Sequence, residues 1–188
     1  AIACSTGGPK SLQHVIPYLP ENLDAGVVLV QHMPKGFTAS LAMRLNSLSK
    51  AVVKEAEDGE VIEKGHVYIA PGGMHIIIAQ SGKNHVIRYS DQPPVDGLRP
   101  CANIMFESLS DTDYDDITCV VLTGMGADGT KGIQSLVDKG RRVHVIAQDA
   151  ESCIVYGMPR AIAEAGLANE IQPLNKISES IIKNVGVM

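Results

Sequence analysis

Short, continuous apolar runs alternate along this chain with segments whose apolar residues recur every three or four positions. Val27–Val30 and Cys119–Thr123 are such runs, and they are typical of strands buried on both faces of a parallel sheet. Helical spacing appears between them in Phe37, Leu41, Leu45 and Leu48. The alternation predicts an α/β fold, a doubly wound three-layer sandwich with a mostly parallel sheet.

The middle of the chain interrupts this alternation. His75–Gln80 and His85–Tyr89 are strand-like segments, and the polar stretch Ser81–Asn84 lies between them. This pattern predicts an antiparallel hairpin with a loop of about four residues. A polar, proline-bearing loop follows over Asp91–Pro100, with a helix expected after it.

The stretch Ala3–Pro9 is typical of a strand end, a tight turn and a helix start. Gly7 and Gly8 permit the sharp turn and a close approach of the backbone. Helical spacing continues through Leu12, Val15, Ile16 and Leu19, so the helix is expected to include His14. Ser5 would then face a helix N-terminus, where free N–H groups favour a developing negative charge.

The composition places the chain among soluble globular proteins and excludes several classes. Its 188 residues, 45% of them hydrophobic, suit one domain over 1–188 with its own core. A net charge of −5 argues against nucleic-acid binding. No apolar run approaches the roughly 20 residues that span a membrane, and no signal peptide is visible, so a cytoplasmic location is expected. The abrupt start at Ala1 suggests that an upstream segment has been removed.

The four cysteines are Cys4, Cys101, Cys119 and Cys153. They form no Cys-x-x-Cys pair and are expected to be reduced. No cluster of histidines and acidic residues has ligand spacing, so neither a metal nor a cofactor is predicted. Cys4 is a rival nucleophile beside Ser5, but neighbours in a strand point to opposite faces, so Cys4 is expected to pack into the core.

Three polar residues, Ser5, His32 and Asp128, each follow a predicted strand. In open α/β sheets, functional sites form beyond the carboxyl ends of the strands. A nucleophilic serine needs a base, and the base needs an acid that fixes its tautomer. His32 and Asp128 are the best candidates for these roles. Asp149, at the next strand end, is the rival acid, although a helix cap or loop hydrogen bond is the preferred interpretation for it.

The other histidines are interpreted from their positions. His75 follows Gly72 and Gly73 at a loop edge and is expected to line a cleft. The rest are expected to be structural or surface residues: His14, His66, His85 and His144.

Two well-known site types do not fit this pattern. The order Ser, His, Asp differs from that of α/β-hydrolases, and Ala3–Gly7 lacks the first glycine of their Gly-x-Ser-x-Gly turn. A phosphate-binding P-loop would need glycine where the chain has Cys4 and Pro9. A non-catalytic phosphate- or nucleotide-binding module stays open as the alternative, because glycine-rich turns serve both uses. That alternative does not explain His32 and Asp128.

Several motifs occur together in one order, and the combination is specific. They are Ser5–Pro9, Gln31–Thr38, Ile69–His75, Leu122–Gly129 and Tyr156–Pro159. Over nearly the whole chain they resemble the catalytic domain of the chemotaxis protein-glutamate methylesterase family, CheB. The resemblance implies a doubly wound α/β fold with an antiparallel hairpin near the active site.

The resemblance also implies an activity. A family member would be a serine esterase that hydrolyses glutamate γ-methyl esters on chemoreceptors to glutamate and methanol, and would also deamidate receptor glutamines. Ser5 would be the nucleophile, His32 the base and Asp128 the orienting acid. We expect the backbone N–H groups of Thr6 and Met125 to hold the oxyanion.

The implied partners are methyl-accepting chemotaxis receptors and a regulatory receiver domain, which precedes the catalytic domain in family members and is absent from this sequence. Nucleic acid, membrane insertion, metal and cofactor are not expected. Candidate substrate-binding residues are His75, Arg99, Tyr156 and Arg160. For the two arginines, surface or loop-pinning ion pairs are the alternative.

Two parts of the chain depart from the commonest family pattern. Cys4 stands where alanine or serine is usual, and Arg99–Asn103 reads Arg-Pro-Cys-Ala-Asn instead of Arg-Pro-Ser-Val-Asp. Asn103 cannot carry the charge of an aspartate, which leaves the role of that loop open.

Overall fold

A computed structural model describes the whole chain, Ala1–Met188. The strands are β1 (Ile2–Cys4), β2 (Val27–Gln31), β3 (Val52–Glu55), β4 (His66–Ile69), β5 (His75–Ser81), β6 (Asn84–Ser90), β7 (Ile117–Val121), β8 (Val143–Gln148) and β9 (Glu170–Gln172). The α-helices are α1 (Gly8–Leu12), α2 (Phe37–Asn46), α3 (Ala102–Ser108), α4 (Thr130–Asp138), α5 (Met158–Glu164) and α6 (Ile177–Val185). Single 3₁₀ turns occupy Ile16–Tyr18, Leu109–Asp111 and Leu174–Lys176.

Seven strands form one sheet in the order β3-β4-β2-β1-β7-β8-β9, and all of its pairings are parallel. The first strand lies in the middle, with β2 on one side and β7 on the other. The direction in which the chain adds strands therefore reverses at β1. Beyond the carboxyl end of such a switch point, an open α/β sheet leaves a crevice between diverging connections.

Two apolar cores, one on each face of the sheet, make the fold a three-layer sandwich. Alternate residues of the central strands feed opposite cores, as Ala3 and Cys4 do. One core packs the sheet against α3, α4, α5 and the β5–β6 hairpin, and the other packs it against α1, α2 and α6. This is the doubly wound α/β arrangement that the sequence predicts.

Two local predictions differ from the structure. The first helix ends at Leu12, so His14 lies in a turn beyond it. Pro17 has no N–H to donate and disfavours the helical conformation of the residue before it. The apolar positions predicted for the longer helix are still buried, because the 3₁₀ turn at Ile16–Tyr18 keeps them on the sheet.

The hairpin turn is also tighter than predicted. Ser81 pairs directly with Asn84, which leaves a loop of two residues, Gly82 and Lys83. Gly82 adopts φ +62°, a conformation that glycine reaches at little cost and that two-residue hairpins need.

No helix in the chain combines the length and the apolar composition required to cross a bilayer. A cavity of about 510 Å³ lies where the central strands begin, between Ile2, Val27 and Ile117. It is at the opposite end of the sheet from Ser5.

Candidate active site

Ser5 and His32 directly follow the neighbouring strands β1 and β2. The two strands pair with Cys4 opposite Gln31, and the N–H of His32 donates to the Cys4 carbonyl at 3.1 Å. Continuing this register puts Ser5 opposite His32. Since adjacent strands lie about 4.8 Å apart, the two side chains start from neighbouring positions.

The buried side chain of Gln31 fixes this pair of strand ends. Its Nε2 donates to the backbone carbonyls of Ser5 and His32, both at 3.0 Å, and its Oε1 lies 3.0 Å from the Cys4 thiol, which donates to it. Gly8 passes so close that a Cβ there would come within 1.9 Å of Oε1. Gln31 begins one of the family motifs but has no role predicted from the sequence; the signal for a role is that a polar residue ends an otherwise apolar run.

The loop after β7 approaches Ser5 through Gly124. A Cβ on Gly124 would stand 2.8 Å from the Ser5 Cβ and 2.3 Å from the Met158 sulfur. The amide N–H groups of Thr6 and Met125 donate to no acceptor within the chain. One immediately follows Ser5 and the other immediately follows Gly124, so both N–H groups are available beside the serine.

His32 and Asp128 form a nearly buried pair. The ring Nε2 donates to Asp128 Oδ2 at 2.7 Å, and their side chains are only 9% and 5% exposed. With Nε2 used in this way, Nδ1 is left as the nitrogen without a partner. No hydrogen bond joins Ser5 to His32 in this structure; such bonds often form only when substrate is present.

The Asp128 carboxylate has a full set of donors. Besides His32, it accepts the N–H of Ala102 at 2.6 Å, the N–H of Asn103 at 2.9 Å and the Cys101 thiol at 3.2 Å. Burial raises the pKa of Asp128, but these hydrogen bonds outweigh it and hold that pKa below its usual 3.8. An ionised carboxylate therefore faces His32 at neutral pH.

These contacts gather a hydroxyl, an imidazole that can accept a proton and an anchored carboxylate at three adjacent strand ends. That arrangement suits acyl transfer through a serine nucleophile. The model of the CheB methylesterase family matches residues 1–181 of the chain. The chain belongs to the CheB methylesterase family.

Curated relatives of the chain are named protein-glutamate methylesterase/protein-glutamine glutaminase. One from Desulfotalea psychrophila is 47% identical over 186 residues, covering 98% of this chain and 50% of that protein. One from Bacillus subtilis is 48% identical over 181 residues, covering 96% of this chain and 50% of that protein. The chain thus spans about half the length of the curated relatives it matches.

A solved structure agrees with the fold. The catalytic domain of the Thermotoga maritima CheB methylesterase superposes with a TM-score of 0.93 at 43% identity, covering 98% of this chain and 96% of that one. The likeness therefore extends over essentially the whole CheB catalytic domain.

His75 does not line a cleft in this CheB-family chain, because its side chain is 0% exposed. Its Nδ1 accepts the N–H of Cys101 at 3.1 Å, so Nε2 carries the proton and donates to the Pro93 carbonyl at 3.2 Å. Burial lowers the pKa of His75, which keeps the ring in this neutral form. The ring thus supports the segment that carries donors to Asp128.

The other candidate binding residues differ in their surroundings. Arg99 is three-quarters buried and reaches the Ser90 carbonyl at 3.4 Å and the Asp91 carboxylate at 3.8 Å, which fits a loop-pinning contact. Arg160 is 62% exposed on α5 and lies 3.7 Å from Glu164. Tyr156 is half-buried, and its backbone forms an isolated parallel bridge with Gly124, next to Ser5.

Cys4, the rival nucleophile, and Asp149, the rival acid, both make contacts typical of structural residues. Cys4 is fully buried in the core that packs the sheet against α1, α2 and α6, and burial raises the pKa of its thiol. Asp149 accepts the N–H of Ser152 at 3.0 Å and its hydroxyl at 2.5 Å, which closes a turn after β8. Both observations agree with the interpretations preferred from the sequence. Across the chain, no group of three or more His, Cys, Asp or Glu side chains is arranged to hold a metal ion.

Proposed function

We propose that residues 1–188 form one catalytic domain that hydrolyses glutamate γ-methyl esters on methyl-accepting chemotaxis receptors, releasing methanol. The observation that carries the proposal is the adjacency of Ser5 and His32 at paired strand ends, with Asp128 bonded to the far nitrogen of the imidazole. The names of the curated relatives supply the substrate class.

Ser5 is the proposed nucleophile and His32 Nδ1 the proposed base. The Oγ of Ser5 attacks the ester carbonyl as its proton moves to Nδ1, which gives a tetrahedral oxyanion and an imidazolium. This assignment reverses the serine-protease arrangement, in which the aspartate holds Nδ1 and Nε2 faces the serine. Asp128, bonded to Nε2, keeps Nδ1 unprotonated in the resting state and stabilises the imidazolium.

The oxyanion is proposed to accept hydrogen bonds from the N–H groups of Thr6 and Met125, which have no acceptor within the chain. A donor of this kind is typically worth about 3–4 kcal/mol in the transition state. The tetrahedral intermediate collapses when Nδ1–H protonates the departing methoxide, and methanol leaves. Water, deprotonated by Nδ1, then attacks the acyl-enzyme and releases glutamate and Ser5.

Glutamine deamidation is the same acyl chemistry with ammonia as the leaving group. Because an amine leaves less readily than methoxide, it depends more on protonation by His32 before the C–N bond breaks. We propose ester cleavage as the faster of the two reactions. Tyr156 and Arg160 are proposed to contact the receptor segment at the rim of the site, and Arg99 to hold the loop there.

The setting of the domain is also proposed from its relatives. They are about twice as long as the part that this chain matches, and we propose that a regulatory receiver domain acts on this catalytic domain in the full-length protein. The substrates would be cytoplasmic segments of the receptors, so we propose that the enzyme works in the cytoplasm.

Methanol release from methylated receptor membranes tests the proposal, comparing the parent chain with Ser5→Ala and Cys4→Ala. We expect release by the parent and by Cys4→Ala, and none by Ser5→Ala. Release by Ser5→Ala but not by Cys4→Ala would move the nucleophile to Cys4. Absence of release by the folded parent would favour a binding module.

A further inference from the structure

The start of α3 and the loop that ends at α4 hold each other by reciprocal hydrogen bonds. Asp128, in the loop, accepts the first N–H groups of α3, from Ala102 at 2.6 Å and Asn103 at 2.9 Å. In return, the side-chain Oδ1 of Asn103 accepts the N–H groups of Gly129 and Gly132, both at 2.9 Å. Asp128 thus caps the N-terminus of α3, and Asn103 caps the N-terminus of α4, where free N–H groups need acceptors.

The α4 helix cannot supply this cap itself. Its N-cap residue is Gly129, which has no side chain and adopts φ +101°. A Cβ there would meet the Phe106 ring at 3.1 Å, so a residue with a capping side chain is both strained and crowded at this position. Gly132, one turn later, lies against the Asn103 backbone, where a Cβ would come within 2.6 Å of the carbonyl oxygen.

We propose that Asn103 is a positioning residue for the Asp128–His32 pair, acting through its side-chain carbonyl oxygen; this rests on the proposed function. Asp128 immediately precedes Gly129, so the bond from Gly129 to Asn103 fixes the backbone next to the carboxylate. The carboxylate must stay aligned on Nε2 at 2.7 Å for Nδ1 to remain the proton acceptor. A loop that shifts on the ångström scale would lose that alignment.

This role is compatible with asparagine at a position where the family resemblance implies aspartate. Both hydrogen bonds are accepted by Oδ1, and the Nδ2 amide donates to no group in the chain. The position therefore needs an acceptor and not a charge. Asparagine also places no second negative charge beside Asp128, and a second charge would favour the protonated imidazolium of His32.

The test compares Asn103→Ala and Asn103→Asp with Asn46→Ala as the matched control. Asn46 also accepts a backbone N–H through Oδ1, from Val53 at 2.8 Å, but it joins α2 to the edge strand β3, away from the site. For Asn103→Ala we expect kcat of methanol release to fall about 10–100-fold with KM within about twofold, the scale of a misplaced catalytic group. Asn46→Ala should keep both constants.

Asn103→Asp should restore kcat to within about threefold of the parent, because it keeps the acceptor. It should also move the acid limb of the kcat/KM profile to higher pH, because of the added negative charge. A parental kcat in Asn103→Ala overturns the proposal. A folded Asn103→Asp with a kcat as low as that expected for Asn103→Ala also overturns the proposal. If Asn103→Ala does not fold, the kcat of Asn103→Asp is the deciding measurement.

A second readout does not depend on catalysis. The Nε2 proton of His32, assigned by its loss in His32→Gln, should give a downfield NMR resonance in the parent and in Asn103→Asp, and should broaden or disappear in Asn103→Ala. An unchanged resonance in Asn103→Ala overturns the proposal. An inactive parent that shows the expected NMR pattern would reject the proposed function and leave the positioning role supported.

Discussion

The side-chain amide of Gln31 is bonded to the backbone carbonyl of Ser5 at 3.0 Å, and the same nitrogen is bonded to the carbonyl of His32 at 3.0 Å. One buried group thus sets the spacing between the proposed nucleophile and the proposed base. Because Gln31 is only 2% exposed, water cannot easily replace these bonds.

Replacing Gln31 should therefore impair catalysis more than binding. Gln31→Met removes both donations without adding a buried charge, and we expect kcat to fall about 10–100-fold as Ser5 and His32 lose their alignment. The free energy of unfolding should fall by about 1–3 kcal/mol, since two buried carbonyls lose a donor. Methanol release and urea denaturation measure the two effects. If Gln31→Met is less stable than the parent but keeps the parental kcat, Gln31 has only a structural role.

Gly124→Ala should displace Ser5. The new Cβ would stand 2.8 Å from the Ser5 Cβ and 2.3 Å from the Met158 sulfur, so one of these groups must move. We expect a loss in kcat of about 100-fold, because small misplacements of reacting groups have effects of this size. Gly140→Ala is the control: its Cβ would meet open space far from Ser5, and although its φ of +72° makes the change cost some stability, kcat should stay at the parental value. Equal activity in the two variants would contradict the prediction.

Most of the fold follows from local patterns, and the parts that do not follow depend on tertiary contacts. Continuous apolar runs identify β2 and β7 because both faces of each strand are covered. The end of α1 at Leu12 was not predicted, since the burial pattern continues across the 3₁₀ turn while the helix does not. Periodicity reports which side chains are buried, and it cannot distinguish one long helix from two short turns on the same face.

The residues of the candidate site differ in how far the sequence predicts their roles. Strand-end positions indicate Ser5, His32 and Asp128 as candidates, with Asp149 as the rival acid, because parallel strands end at one edge of the sheet. The supporting contacts of Gln31 and Asn103 join segments far apart in the chain, so the sequence does not give their partners, although Gln31 stands out as a polar residue at the end of an apolar run. For His75, the local pattern predicts more exposure than the structure has. The two glycines shortly before it favour an accessible loop edge, but the Asp91–Pro100 loop covers the ring and buries it fully.

His75→Ala should affect stability and not substrate binding. The change leaves a cavity and removes the acceptor of the buried Cys101 N–H. We expect the free energy of unfolding to fall by about 2–4 kcal/mol, with KM unchanged because the ring does not reach solvent. His66→Ala, at a half-buried position where Nδ1–H donates to the Lys64 carbonyl at 3.0 Å, should cost less, about 1 kcal/mol. A raised KM with parental stability would instead indicate substrate contact by His75.

Asp128→Asn should nearly abolish catalysis while the protein stays folded. An amide NH₂ facing Nε2 would donate to it and shift the ring proton to Nδ1, the nitrogen that must accept the proton of Ser5. In a serine protease the equivalent change lowers kcat about 10⁴-fold through the wrong tautomer, and we expect a loss of that order here. Methanol release with matched circular dichroism spectra measures it. Full activity in the variant would require another carboxylate, with Asp149 the first to examine.

The same variant should reveal how Asp128 couples stability to pH. The hydrogen bonds to its carboxylate hold the folded-state pKa below the usual 3.8, so ionised Asp128 favours the folded state. This contribution is complete above the unfolded-state pKa and is lost as the pH falls through the lower folded-state value. Relative to its value at pH 5, the difference in unfolding free energy between the parent and Asp128→Asn should thus change in favour of the variant as the pH falls below about 4. Urea denaturation of both proteins at each pH gives this difference. A difference that stays level down to pH 3 would mean that the folded-state and unfolded-state pKa values of Asp128 are equal.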